Sequence, residues 1–173
     1  WTCWVLRNII TRIGIIDARS NSVLEVRESL LEILNGTLEQ LCDHYSAMEN
    51  PGVDIYEGWT AKDVLGHLTF WHESFARILG ALVIGKKPYT LKGKYTELNQ
   101  RCFDEMRPLT TEQIITRLEA AHHVVQKNIL SENLYMIPYK MGSRDYTPEE
   151  HLDIVNNHIR SHLKDLEDIK INP

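Results

Sequence analysis

Residues 147–169 read TPEEHLDIVNNHIRSHLKDLEDI, and their spacing sets the fold class. Thr147 is a helix N-cap, Pro148 suits the first helical turn, and Glu150 stands at the acidic third position. Behind this start Leu152, Val155, Ile159, Leu166 and Ile169 recur at helical spacing. On a helix, His158 and His162 fall on the edge of that apolar stripe. Residues four apart share a face about 5–6 Å apart at Cβ, so both imidazoles can reach one cation.

Moving outward, the same reading gives three more long amphipathic helices. Val23, Val26, Leu30, Leu34, Leu38, Leu41, Tyr45 and Met48 predict one from about residue 20 that stops before the Asn50, Pro51, Gly52 turn cluster. Thr60 and Asp63 open a second, with Trp59 as a hydrophobic staple, and Val64, Leu68, Trp71, Phe75, Ile78 and Leu82 form its stripe up to Gly85. Thr110 and Gln113 open a third, with Ile114, Ile115, Leu118, Ala121, Val125 and Ile129 inward. Between the second and third lies a long crossover with a short helical pattern through Leu98, Cys102 and Met106. The loop at 131–146 is longer than a plain connection requires, which marks it as a lid or pocket wall. No stretch alternates as a strand does, so the chain reads as an all-α four-helix bundle.

Composition narrows the function. A chain of 173 residues with 43% hydrophobic content suits one domain and buries enough surface to fold without a disulfide or structural metal. The net charge of −5 argues against a nucleic-acid binder, which needs a basic face for phosphates. Three cysteines, Cys3, Cys42 and Cys102, are too few and too scattered for a disulfide framework or a Cys-based zinc site, which points to a reducing cytoplasm. The opening WTCWVLRNIITRIGII carries Arg7 and Arg12 and reads as neither signal peptide nor membrane span. Trp4, Val5, Ile9, Ile13 and Ile16 make residues 1–20 an amphipathic arm or an accessory segment, ahead of a bundle domain at 21–173.

His67, one turn into the second helix, borders the Val64, Leu68, Trp71 stripe, so it converges with His158 and His162 on one seam. Three nitrogen ligands with an open position are how catalytic zinc-type sites are built. The expected cofactor is a divalent transition metal, Zn or Ni. His44, His72, His122, His123 and His151 read as satisfied boundary residues, with His151 an outer partner at best. Glu73, Asp153 and Asp165 are the carboxylates available as a base or outer partner, and no catalytic residue is assigned among them. Tyr135, Tyr139 and Tyr146 are candidates to line a pocket, and Lys86, Lys87, Lys92 and Lys94 to steer an anion.

Three segments carry a family resemblance: GWTAKDVLGHLTFWH at 58–72, GKYTELNQ at 93–100, and PEEHLDIVNNHIRSHLKDLEDI at 148–169. In that order and spacing they resemble DinB-like (DinB/YfiT) proteins, closest to the ClbS/DfsB branch. The resemblance implies an up-down-down-up bundle, frequently a homodimer, with a divalent metal on His67, His158 and His162. It also implies a small-molecule substrate, while the net charge and the lack of a spanning stretch leave no nucleic-acid or membrane partner expected. The superfamily includes thiol-dependent transferases and isomerases, and the branch includes self-protection proteins acting on reactive natural products. Two functions follow as expectations: a metal-dependent hydrolase or thiol S-transferase acting on a small electrophile in detoxification or self-resistance, and a non-catalytic small-molecule sequestering bundle. An interaction module built on the 1–16 arm is a third.

Overall fold

The three threonine-led helix starts are formed in the computed structural model, which describes the backbone of residues 2–171 and the side chains of residues 22–168. The helices are α1 (Thr2–Ser46), α2 (Ala61–Val83), α3 (Tyr95–Met106), α4 (Thr111–Asn128) and α5 (Pro148–Ile171). Thr60, Thr110 and Thr147 each accept from the backbone three residues on, at 3.2, 3.3 and 3.2 Å. Asp63, Gln113 and Glu150 return a bond to the cap N–H at 3.0, 2.9 and 3.0 Å. These reciprocal boxes satisfy backbone donors that a helix end leaves orphaned. At the other end of α2, Gly85 takes φ +68°, and the Lys86 and Gly85 N–H groups close on Ala81 and Leu82 at 2.9 Å each. That Schellman closure turns the chain into the crossover.

The four long helices pack chiefly as two pairs, α1 with α5 and α2 with α4, while α3 rides on α2 inside the crossover. Leu34, Leu41, Leu65, Leu79, Ile114 and Leu118 are buried where they meet. Each such side chain contributes about 1.5–3 kcal/mol relative to exposure. The narrower α2–α5 and α1–α4 seams complete the bundle. Where α2 crosses α3, a Cβ on Gly66 would lie 2.8 Å from Met106 Cβ, so this glycine sets how closely the crossover approaches.

Several expectations are corrected. Val23 and Val26 are 46% and 52% exposed, and the inner stripe at that end of α1 runs through Arg27, Leu31, Leu34 and Leu38. Arg27 is 5% exposed, pairs with Glu149 at 2.8 Å and donates to the carbonyls of Ile129 and Ser131 at 3.2 and 3.1 Å. A charged residue in a core position hid the true stripe from a hydrophobicity pattern. Two short hairpins appear where no strand was expected: β1 (Asp54–Tyr56) with β2 (Trp59–Thr60), and β3 (Ile137–Pro138) with β4 (Asp145–Tyr146). Strands of two or three residues are too short to show alternation. The second hairpin organises the long loop, where Leu134 and Ile137 are buried but Tyr135 is 76% exposed. The amphipathic arm read from Trp4 to Ile16, and the inward Ile169, lie outside the described side chains.

Candidate metal centre

α2 and α5 bring His67, His158 and His162 together through the same ring nitrogen. His158 Nε2 lies 3.1 Å from His67 Nε2 and 3.2 Å from His162 Nε2. One ligand atom from each ring falls within 4.8 Å of the other two. Zn–N bonds of 2.0–2.1 Å in a tetrahedral site place nitrogens roughly 3.3 Å apart, so the observed spacing fits a metal ligand set. A purely hydrogen-bonded explanation is strained, because three like nitrogens facing one point need donors and acceptors to alternate. The residues present therefore fit a divalent transition metal.

The local sequence explains the placement. The Thr60 box starts α2 so that His67 falls on its second turn, and Gly66 lets α3 close over the next residue. Trp59, read as a staple, instead packs its ring on His67 at 5.3 Å and on Phe103 at 4.7 Å. Asp63 caps the helix and holds Arg107 through two bonds of 2.8 and 3.1 Å. Burial pushes its carboxyl up, but Arg107 and Thr60 outweigh that and hold it below the usual range.

The surroundings of all three rings disfavour the charged imidazolium. Burial, then the His158 and His162 charges, lowers His67 to about 3. Asn99 of α3 opposes that shift, although its Oδ1 and His67 Nδ1 fall outside ordinary hydrogen-bond geometry. Burial, then His162, lowers His158 to about 4, and burial lowers His162 while Asp165 pulls it back. Neutral imidazoles are what a metal requires.

Beyond the three histidines stands a pair of which sequence reading found only half. Tyr56, at the end of β1, has its hydroxyl 2.9 Å from His162 Nδ1 and in close contact with the Asp165 carboxylate. Burial, then Asp165, raises the phenol, so it stays protonated. Tyr56 carried no signal in the sequence, because its approach to α5 depends on the hairpin. The other two carboxylates are elsewhere: Glu73 binds Arg117 at 2.7 Å, and Asp153 is exposed.

Three further histidines depart from the boundary reading. His72, His122 and His151 are 2%, 9% and 1% exposed. His72 Nε2 contacts His122 Nδ1 at 3.2 Å, and His122 Nε2 contacts Asn35 Oδ1 at 2.7 Å. His151 stacks on Phe75 at 4.1 Å. A cavity of about 20 Å³ between α2 and α5, bordered by Trp71, His72, Tyr139, His151 and His158, separates this cluster from the triad. Of the three loop tyrosines, Tyr139 stacks on Trp71 at 5.2 Å in this wall and Tyr146 backs it at 6.1 Å.

Helical architecture and site together define a four-helix bundle in which three histidines converge. Its fold is similar to that of a mycothiol-dependent maleylpyruvate isomerase, at 15% identity and a TM-score of 0.67 over 81% of this chain. The chain spans 60% of the length of that isomerase. It is equally similar, with a TM-score of 0.67 and 14% identity, to an uncharacterized protein from Clostridium difficile 630, over 84% of this chain and 96% of that one. No family model matches the sequence, and no curated protein does. Among the described residues no helix is long and apolar enough to cross a membrane.

Proposed function

We propose that this chain is a metal-dependent enzyme of the hydrolase or thiol S-transferase type, acting on a small electrophilic molecule in detoxification or self-resistance in a reducing cytoplasm. The observation that carries this reading is the meeting of three Nε2 atoms at 3.1 and 3.2 Å. A divalent transition metal, Zn or Ni, held there with an open position would polarise a substrate oxygen or sulfur as a Lewis acid. The protein's own part is to hold three neutral ligands at metal spacing and to wall the centre from water with Trp59 and Trp71, whose rings lie 5.3 and 6.3 Å from His67.

Burial raises Cys42 to about 11 and Cys102 to about 12, so neither is a thiolate at neutral pH. Among the described residues no cysteine supplies a ready thiolate, so a thiol reaction there would draw its sulfur from a cosubstrate. The likeness to a mycothiol-dependent isomerase supports that choice by analogy of fold. Placement in the ClbS/DfsB branch, a homodimer, and residues 1–20 as an accessory to a 21–173 domain belong to the same proposal. Elemental analysis of untagged protein tests it: wild type carries near-stoichiometric transition metal, and His67→Ala does not. Equal metal in both, or none in either after incubation with Zn and Ni, refutes it.

A second reading, sequestration without catalysis, draws on a cleft of about 290 Å³ between α1 and α4, floored by Leu38 and Leu118 and sharing no lining residue with the triad. Under that reading a chelator leaves ligand affinity unchanged; under the first it removes turnover.

A further inference from the structure

We propose that Tyr56 and Asp165 are positioning residues for His162, forming a carboxylate–phenol–imidazole line that fixes the ring proton on Nδ1 and aims the Nε2 lone pair at the point shared with His67 and His158. The inference rests on the metal reading above. It follows from donor and acceptor inventory. The Asp165 carboxylate only accepts, so the phenol O–H in contact with it donates. That leaves the phenol oxygen as an acceptor toward His162 Nδ1, 2.9 Å away, and the ring must carry its proton there. A neutral imidazole with Nδ1–H has a bare Nε2, the form a metal needs.

The line is held at both ends by backbone that does not depend on the histidines. Asp165 follows His162 by three residues on α5, so the helix itself puts them on one face. Tyr56 is placed by the β1–β2 hairpin, whose turn uses Gly58 at φ +76°. Its ring edge meets Trp59 at 6.3 Å and His162 at 5.9 Å. The tyrosine is 36% exposed, so loss of its hydroxyl leaves the fold intact.

The test compares wild type with Tyr56→Phe, Asp165→Ala and the exposed-loop control Tyr135→Phe, with circular dichroism confirming folding. Ring ¹⁵N spectra of the metal-free proteins at neutral pH report the His162 tautomer, and competition with a chromophoric chelator reports Zn(II) affinity. Wild type and the control hold His162 as Nδ1–H. In Tyr56→Phe the Nε2–H form becomes populated and Zn(II) affinity falls roughly 10- to 100-fold. In Asp165→Ala the phenol is free to donate to Nδ1, and affinity falls at least as far. An Nε2–H ring in wild type, an unmoved tautomer in both variants, or a moved tautomer with unchanged affinity overturns the proposal. Absence of Zn(II) uptake by wild type defeats the metal reading instead, while the ring spectra still decide whether Tyr56 and Asp165 set the proton.

Discussion

The bundle holds two histidine clusters, the second more deeply buried than the first, and they meet the same chemical problem in opposite ways. His67, His158 and His162 turn like nitrogens toward one point, at 3.1 and 3.2 Å. His72 and His122 instead run in line. Asn35 Oδ1 accepts from His122 Nε2–H at 2.7 Å and from Gln126 at 3.0 Å, so His122 Nδ1 is left to accept from His72 at 3.2 Å. Donor follows acceptor there without a cation, and the chain ends at His72 Nδ1, which has no hydrogen-bond partner among the described residues. Burial and depressed proton affinity are common to both clusters, so neither identifies a ligand set. Convergence of like nitrogens is what makes the first cluster a candidate ligand set.

Acid exposes the common part, and it has the largest expected effect. Burial lowers His72 to about 3, with help from His122 and His151, and burial lowers His122 and His151 to about 4. The unfolded chain binds protons below its ordinary value of about 6.5, where the native rings do not. Stability is therefore full above that pH and is lost as pH falls toward 4, by about 1.4 kcal/mol per pH unit for each well-buried ring. Urea midpoints at pH 7.5, 6 and 5 check this; a flat profile breaks the assignment of both clusters as buried and neutral.

Zn(II) separates the two. At one hundred times its dissociation constant the metal should raise wild-type unfolding free energy by about 2.7 kcal/mol. His158→Ala should abolish the increment and His122→Ala should retain it. If His122→Ala loses it as well, the clusters act as one site. Gly66→Ala comes next in size: its Cβ would meet Met106 Cβ at 2.8 Å, and displacing α3 beside His67 should cost about 1–3 kcal/mol by thermal melting. A smaller effect is expected at His151, whose Nδ1 has no hydrogen-bond partner among the described residues and whose ring stacks on Phe75. His151→Phe keeps the stack and removes the orphaned nitrogen, so stability at pH 7 should rise by about 1 kcal/mol and the acid slope should ease. Destabilisation would mean that this nitrogen is satisfied in solution.

Much of the fold was legible because its signals are local. A threonine three residues ahead of an acidic or amide side chain caps its own helix, and Thr60, Thr110 and Thr147 all do so. The spacing of His158 and His162 is fixed by helical geometry alone. Illegible residues were those whose environment comes from another element. Arg27 sits in a core position because Glu149 and two carbonyls from the α4–α5 connection wait there. His122 is buried because Asn35 on α1 and His72 on α2 meet it across seams.

The sequence by itself determined four long amphipathic helices, the starts of three of them, and which faces carry His67, His158 and His162, since periodicity and capping act within a few residues. The first helix, expected from about residue 20, instead begins at Thr2. Only the tertiary structure decided that the three rings meet through Nε2, that Tyr56 reaches His162 from a hairpin more than a hundred positions away, and that three more histidines are core residues. Those outcomes depend on how far apart helices settle and how side chains turn between them, which packing across the whole bundle fixes and no local pattern records.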